Sequence, residues 1–161
     1  MTLSVGDRLP EATFKVKTDD GLKDMTTSDV FAGKKVVVFA VPGAFTPTCH
    51  ALHVPNYLGA IDALKAKGVD TVACISVNDA FVMSEWAKKT AADGKILFLA
   101  DGNADFTKAA GLDFDASTNG LGTRSVRYGM LVEDGIVKAL NIDDVPKTVD
   151  KSAAEKILEI L

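Results

Sequence analysis

The chain has 161 residues, of which 47% are hydrophobic and 25% charged, and its formal net charge is −4. These values suit one globular domain with a substantial core, and we expect it to span residues 1–161. The charges are interspersed, which excludes a basic patch for nucleic acid, and every apolar run is too short to span a bilayer. The amino-terminal residues lack a secretory signal pattern, so we expect a cytoplasmic protein, with an organellar one after transit-peptide removal as the alternative.

The first third of the chain is predicted to hold two strands and a helix. Weak alternation predicts an edge strand over residues 13–18, and an apolar run predicts a central strand over residues 35–41. Apolar spacing then predicts a helix over residues 51–67. Pro55 should kink or delay this helix, and Gly68 is placed to end it.

The middle of the chain repeats the alternation of strand and helix. A second buried strand is predicted over residues 69–77 and a third over residues 96–100. Between them, Asn78 or Asp79 is placed to cap a helix that closes near Gly94.

The last third is predicted to hold a short helix and a hairpin. The helix covers residues 105–110, and the hairpin strands cover residues 125–132 and 136–140. The turn between them, Glu133-Asp134-Gly135, has the composition of a tight hairpin turn.

A capping-box spacing, Ser152 followed three residues later by Glu155, predicts that a final helix begins there. With this helix, the predicted strands and helices alternate along most of the chain. Such alternation, with strongly apolar strands, indicates a layered α/β domain.

The chain has two cysteines, Cys49 and Cys74, which are too few for a disulfide scaffold, and it has no C-x-x-C dithiol. Cys49 is predicted to lie where the central strand gives way to the first long helix. A thiol there faces unpaired backbone N–H groups and the positive end of the helix dipole. Both favour the thiolate, which is the reactive species, so Cys49 is a candidate nucleophile.

The residues around Cys49 carry a resemblance to a known family. Pro42, Thr46 and Cys49 fit the pattern P-x-x-x-T-x-x-C, which resembles the active-site loop of the peroxiredoxins. Residues 41–49, 74–82 and 134–141 resemble, in the same order, three blocks of the peroxiredoxin 5 (type II) branch. The resemblance runs from about Val5 to the end of the chain. It implies a thioredoxin-like fold, with a central mixed β-sheet flanked by helices, and a thiol-dependent peroxidase without cofactor or metal.

This resemblance also implies roles for individual residues. Cys49 would attack hydrogen peroxide or an organic hydroperoxide and become a sulfenic acid. Thr46 would supply a hydroxyl donor, and Pro42 would shield the thiolate from bulk water. Residues 126–130 match the strand that carries the family's arginine, so Arg127 would donate to both sulfur and peroxide. Arg124 is interpreted as a solvated surface residue.

Cys74 lies in an apolar strand and is interpreted first as a buried packing residue, with a resolving thiol as the alternative. Animal members of the branch carry their resolving cysteine near the C-terminus, whereas this chain has no cysteine after Cys74. It is more similar in this respect to the plant and fungal type II members. The resemblance further implies a homodimer formed near the active site, and reduction by glutathione with glutaredoxin or by thioredoxin.

Two alternatives remain beside the peroxidase. His50 and His53 follow Cys49 and invite a metal site, but a site needs a further ligand, and the motif gives Cys49 another use. The second alternative is a non-enzymatic redox sensor or chaperone that uses the same oxidisable thiol. Turnover separates these functions, because a peroxidase consumes many equivalents of peroxide and a sensor about one.

Overall fold

The computed structural model describes residues 2–145 and 147–161 of the chain. Its strands are β1 (Thr13–Thr18), β2 (Gly21–Thr26), β3 (Lys35–Val41), β4 (Thr71–Ser76), β5 (Leu97–Ala100), β6 (Asp113–Asp115), β7 (Thr123–Ser125), β8 (Tyr128–Glu133) and β9 (Ile136–Ile142). Its α-helices are α1 (Thr27–Phe31), α2 (Val54–Gly59), α3 (Ile61–Ala66), α4 (Ala80–Lys89), α5 (Asp105–Ala109) and α6 (Ala154–Leu158). A π-helical segment, Cys49–His53, leads into α2, and Ser117–Asn119 forms a 3-10 turn.

Seven strands form one mixed sheet in the order β2-β1-β5-β4-β3-β8-β9. Strand β3 lies in the interior of this sheet, parallel to β4 on one side and antiparallel to β8 on the other. Its near-continuous apolar sequence follows from this place, because a strand covered on both faces has no side that meets water. The loop that carries the cysteine motif therefore leaves the carboxyl end of the most buried strand.

Apolar side chains cover both faces of the sheet. One core packs α2, α3, α4 and α6 against it and includes both Cys49 and Cys74. The other core packs α1 and α5 against the opposite face. This arrangement confirms the predicted α/β class and the mixed sheet flanked by helices. Within the residues described, no helix has the length and apolar character needed to cross a membrane.

Several local predictions are confirmed. Asp79 caps α4, since its side chain accepts from the N–H of Val82 at 2.8 Å. Gly68 ends the preceding helix with a φ of +89°. Asp134 and Gly135 both have positive φ, 48° and 76°, as a tight hairpin turn between right-twisted strands requires.

Other predictions need correction. Strand β1 is not an edge strand, because the unpredicted β2 pairs along its outer side. The single helix expected over residues 51–67 is divided into the π-helical segment, α2 and α3. The delay expected at Pro55 is seen, since the regular α-helix begins only at Val54 and Pro55 stands in its first turn. The strand expected over residues 125–132 is two strands, β7 and β8.

The predicted capping box at Ser152 is wrong. Helix α6 is preceded by Ala153, which makes no side-chain capping bond, and the N–H of Ala154 donates instead to the side-chain oxygen of Asn56 at 2.8 Å. The hydroxyl of Ser152 instead donates to the carboxylate of Asp143. The carboxylate of Glu155 accepts from the Asn56 side-chain amide at 3.0 and 3.1 Å. Both side chains that the local pattern predicted at the end of the helix therefore form hydrogen bonds with residues from other parts of the fold.

Candidate active site

Cys49 lies in the first turn of a helical run that begins soon after β3 ends. Proline at the first helical position is favourable, and Pro47 takes that place. The N–H of His50 donates to the carbonyl of Thr46 at 2.9 Å. The turn then widens, because the N–H of Val54 reaches back to the carbonyl of Cys49, five residues before it. Such π-type turns are rare and often mark functional sites.

Arg124 holds the loop at its start. Its Nη1 donates to the carbonyl of Pro42 at 3.2 Å, and its Nε donates to that of Leu121 at 2.9 Å. A Cβ added to Gly43 would lie 2.7 Å from the same Nη1, so the guanidinium needs a glycine there. Arg124 is partly buried, and its interpretation as a solvated surface residue is wrong.

Side-chain hydrogen bonds also fix the middle of the loop. The hydroxyl of Thr46 donates to the carbonyl of Gly43 at 2.6 Å, so its hydrogen is already engaged, in contrast to the expected role as a donor in the site, and its oxygen is left as an acceptor. The side-chain oxygen of Asn78 accepts from the N–H of Ala44 at 2.9 Å. Between these contacts Phe45 has a φ of 64°, a conformation that costs energy for a bulky residue. The loop is therefore held in one strained conformation by contacts on both sides.

Arg127 stands immediately before β8 and is 2% exposed. Its Nη2 donates to the sulfur of Cys49 at 2.9 Å, and its Nη1 donates to Nδ1 of His53 at 2.7 Å. Cys49 itself is fully buried within the apolar core, although its sequence neighbours are polar. The guanidinium of Arg127 is therefore a fixed positive charge in hydrogen-bond contact with the Cys49 sulfur, in a part of the core that little water reaches.

The protonation of His53 follows from its contact with Arg127. A guanidinium has no acceptor, so Nδ1 of His53 must carry the lone pair and Nε2 the proton. Nε2 accordingly faces the carbonyl of Ser152 at 3.4 Å. Burial, together with the neighbouring charge of Arg127, lowers the pKa of His53 to about 3. The imidazole is therefore neutral at physiological pH and serves as an acceptor for the arginine.

His50 and His53 do not converge on a metal. Nδ1 of His50 accepts from Nε1 of Trp86 at 3.0 Å, and the imidazole stacks on Phe45. Nδ1 of His53 is taken by Arg127. Among residues 2–145 and 147–161, no three His, Cys, Asp or Glu side chains are grouped so that they could hold a metal ion. The four-residue spacing of Cys49 and His53 does place them on one face, where the arginine lies.

Cys74 occupies the middle of β4, between Phe39 on β3 and Phe98 on β5. It is fully buried and not disulfide-bonded, and its side chain belongs to the same core as Cys49. Burial raises the pKa of the Cys74 thiol well above its usual value, and the nearby Cys49 adds to that effect. Cys74 is therefore a protonated and poorly nucleophilic thiol in this conformation.

Residues 4–158 match the Redoxin family, and the chain belongs to that family. It is 46% identical to the chloroplastic Peroxiredoxin-2E-2 of Oryza sativa subsp. japonica over 99% of this chain and 73% of that protein. The structure of reduced Prx3 from Vibrio vulnificus in complex with H2O2 has a TM-score of 0.93 and 48% identity, with 99% of each chain covered.

A third similar protein is peroxiredoxin 5 from Alvinella pompejana, with a TM-score of 0.81, 37% identity and coverage of 88% of this chain and 90% of that one. These comparisons confirm the resemblance that the cysteine motif suggested. Within the Redoxin family the chain is a peroxiredoxin of the peroxiredoxin 5 (type II) branch, and its activity is that of a thiol-dependent peroxidase.

Proposed function

We propose that Cys49 is the peroxidatic thiol and that its substrates are hydrogen peroxide and small organic hydroperoxides. The observation that carries this assignment is the 2.9 Å contact between Arg127 and the Cys49 sulfur in a buried site. The guanidinium stabilises the thiolate before reaction and lies beside the position that the peroxide must occupy. It then stabilises the charge that moves from sulfur to oxygen in the transition state.

The reaction is a two-electron oxidation of sulfur. The Cys49 thiolate attacks one peroxide oxygen, the S–O bond forms, and the O–O bond breaks. The other oxygen leaves as hydroxide or alkoxide and takes up a proton, which gives water or an alcohol. Cys49 becomes a sulfenic acid. Arg127 remains charged throughout, so it assists charge transfer without giving up a proton.

Thr46 and Pro42 complete the site in this proposal. The Thr46 hydrogen is engaged by the carbonyl of Gly43, so the hydroxyl oxygen accepts a hydrogen bond from the peroxide O–H. Pro42 is buried and narrows the space beside the thiolate, and Arg124 fixes its carbonyl. His53 acts as a positioning residue, because it orients the guanidinium that contacts the sulfur.

A turnover measurement tests the peroxidase against the sensor. Purified protein receives a tenfold excess of hydrogen peroxide in the presence of a thiol reductant, and the peroxide remaining is measured over time. Complete consumption supports the peroxidase. Consumption of about one equivalent, followed by a stop, supports a sensor or chaperone and contradicts the proposal.

We further propose that an external thiol, most directly glutathione followed by glutaredoxin, reduces oxidised Cys49. Glutathione displaces water from the sulfenic acid to give a mixed disulfide, and a second thiolate then releases the Cys49 thiolate. Cys74 is secondary because it is a protonated thiol in the middle of β4, paired with β3 and β5 on its two sides. Thioredoxin is the alternative reductant.

Intact-mass spectrometry tests this route. Reduced protein receives one equivalent of peroxide and then glutathione. A glutathione adduct on Cys49 is the expected product. A rapid and near-quantitative Cys49–Cys74 disulfide, together with loss of turnover in Cys74→Ala, would contradict the proposal. Steady-state assays with glutaredoxin plus glutathione, glutathione alone, and thioredoxin then identify the reductant.

The oligomeric state, domain extent and location are proposed from the sequence. A homodimer is supported by large apolar side chains on the surface near the site, with Phe45 47% and Phe81 57% exposed. Sedimentation of wild type and Phe81→Asp tests it, and the variant should shift toward monomer.

A single domain over residues 1–161 predicts one cooperative unfolding transition. Cytoplasmic location stays a prediction that immunoblotting of cell fractions tests.

A further inference from the structure

Ser152 lies far from the cysteine motif in sequence but contacts the residues behind Arg127. Its carbonyl accepts from the hydroxyl of Tyr57 at 2.6 Å and faces Nε2 of His53 at 3.4 Å. A carbonyl has two lone pairs, so both donors can be satisfied by this one group. The Ser152 carbonyl therefore gives the Nε2 proton of His53 an acceptor, and it supports the tautomer whose Nδ1 faces Arg127.

Asp143 fixes the segment that carries this carbonyl. Its carboxylate accepts from the hydroxyl of Ser152 and from the N–H groups of Asp150 and Ser152 at 3.1 and 3.2 Å. Its own N–H donates to the carbonyl of Arg127 at 3.0 Å. Asp143 thus links the main chain of Arg127 to the segment that holds Ser152. The carbonyl of Ser152 in turn contacts His53, which accepts a hydrogen bond from the Arg127 side chain.

Gly129 shows how closely these groups approach one another. A Cβ at this position would lie 2.7 Å from the Tyr57 hydroxyl and 2.8 Å from the Ser152 carbonyl oxygen. A side chain of any size would therefore push the carbonyl away from its donors. Strand β8 requires glycine here because the Ser152 segment lies directly against it.

We propose that Asp143, Ser152 and Tyr57 form a carboxyl-terminal anchor that positions Arg127 through His53. Asp143 holds the Ser152 segment, whose carbonyl selects the Nε2-protonated form of His53. That form presents a lone pair at Nδ1, which holds the guanidinium against Cys49. These are positioning residues, since none of the three contacts the sulfur. The proposal rests on the proposed role of Arg127 in the peroxide step.

Two readouts test the anchor in the full-length protein. The first is the second-order rate constant for oxidation of Cys49 by hydrogen peroxide, measured in a single turnover. The second is the tautomer of His53, read from the nitrogen chemical shifts of the imidazole. The tautomer requires no peroxide chemistry. If wild type is not oxidised by peroxide, the proposed function fails, and the tautomer still decides whether the anchor exists.

Asp143→Ala should slow oxidation at least fivefold and give a mixture of His53 tautomers. Asp143→Asn keeps an oxygen that accepts from the N–H groups of Asp150 and Ser152, and its amide nitrogen can donate to the Ser152 hydroxyl, so it should stay within twofold of wild type with one tautomer. Rescue by asparagine separates positioning from a requirement for charge. The anchor is overturned if Asp143→Ala retains both the wild-type rate and the single tautomer, or if asparagine fails to rescue either readout.

Tyr57→Phe provides a variant that does not depend on Asp143, because it removes one hydroxyl and keeps the ring that stacks on Phe39. We expect oxidation about threefold slower and a shift in the His53 nitrogens. The matched control is Tyr128→Phe, since Tyr128 is also buried but belongs to the opposite core. An equal slowing in both variants, or none in Tyr57→Phe, would contradict the anchor.

Gly129→Ala should also slow oxidation at least fivefold, because its Cβ displaces the Ser152 carbonyl. Gly59→Ala serves as its control, since a Cβ there meets no atom within 4 Å. The control should retain the wild-type rate and tautomer. Wild-type behaviour in Gly129→Ala would show that the close approach of the carbonyl has no influence on the arginine.

Discussion

The two thiols of this protein lie in the same core and are both fully buried, yet their surroundings differ in one decisive respect. Cys49 is in the first turn of a helical run and receives a hydrogen bond from Arg127. Cys74 is in the middle of a strand between two phenylalanines in neighbouring strands, and burial raises its pKa. Burial alone therefore does not make a thiol reactive or inert. We propose that the nearby Arg127 and the start of a helical run make Cys49 the reactive thiol of the two.

The largest expected effect is on turnover when each thiol is removed. Cys49→Ser should abolish peroxide consumption, because oxygen in place of sulfur cannot form the sulfenic acid. Cys74→Ala should keep the first oxidation of Cys49 at near the wild-type rate. Stopped-flow oxidation and steady-state turnover measure the two effects. Substantial turnover in Cys49→Ser would show that a residue other than Cys49 is the nucleophile.

The next effect is at the cation that distinguishes the two thiols. Arg127→Ala should slow the peroxide step at least tenfold, since one donor to the transition state can be worth about 3 kcal/mol. Arg124→Ala should have a smaller effect. Among the described residues, Arg124 donates hydrogen bonds to the carbonyls of Pro42 and Leu121 and none to the sulfur of Cys49.

Stopped-flow oxidation of the two arginine variants measures this difference, and circular dichroism checks that both are folded. Arg127→Lys is the matched control, because it keeps the positive charge but not the planar guanidinium that donates to two partners at once. Its rate should be higher than that of Arg127→Ala but lower than that of wild type. A larger effect at Arg124 would mean that the loop contact, and not the contact with sulfur, limits the reaction.

The sequence predicts the parts of this site whose residues are close together in the chain better than the parts that join distant segments. The motif identified Pro42, Thr46 and Cys49, since they are near neighbours in the chain, and strands as apolar as β3 were predicted from composition alone. The sequence does not predict the contact of His53 with Arg127, which lies 74 residues away in the chain, or that of Asp143 with Ser152, which lies 9 residues away. Both contacts form only when the sheet brings these segments together. The spacing of His53 from Cys49 does indicate a shared face, but it does not show that Arg127 lies against that face and contacts both residues.

Local patterns failed where tertiary partners compete for the same groups. The capping-box residues Ser152 and Glu155 form their hydrogen bonds with Asp143 and Asn56 instead of the helix end. Strand β2 gives no signal in the sequence because none of its six residues is buried and its apolar residues, Leu22 and Met25, do not alternate with polar ones. Neither outcome contradicts local propensity. In each case the deciding contact comes from elsewhere in the fold.

A smaller effect concerns stability and comes from His53. Its pKa is about 3 in the folded protein against an ordinary 6.5. Between these values the unfolded chain binds a proton that the folded protein does not. The free energy of unfolding should therefore rise with pH across this window, by up to about 1.4 kcal/mol per pH unit from this group, and level off above it.

Urea unfolding at several pH values from 4.5 to 7.5 measures this slope. His53→Gln should flatten it, because glutamine keeps a donor and an acceptor but does not titrate. His50→Gln is the matched control, and it should leave most of the slope in place. An unchanged slope in His53→Gln would show that the histidine is not buried as a neutral acceptor for Arg127.

The smallest effect tests whether Cys74 is a packing residue, as its surroundings indicate. Cys74→Ala removes only a sulfur and should lower the free energy of unfolding by about 1 kcal/mol, comparable to the loss of a buried methyl group. Cys74→Ser has nearly the shape of the natural residue but buries a hydroxyl among apolar side chains, which costs about 1–3 kcal/mol where no partner is present. Serine should thus destabilise more than alanine, although it is the closer match in size. Urea denaturation at pH 7 gives both values, and the reverse order would mean that a polar partner lies beside Cys74. The two thiols would then differ less than the structure indicates, and the role of Cys74 as a resolving thiol would gain support.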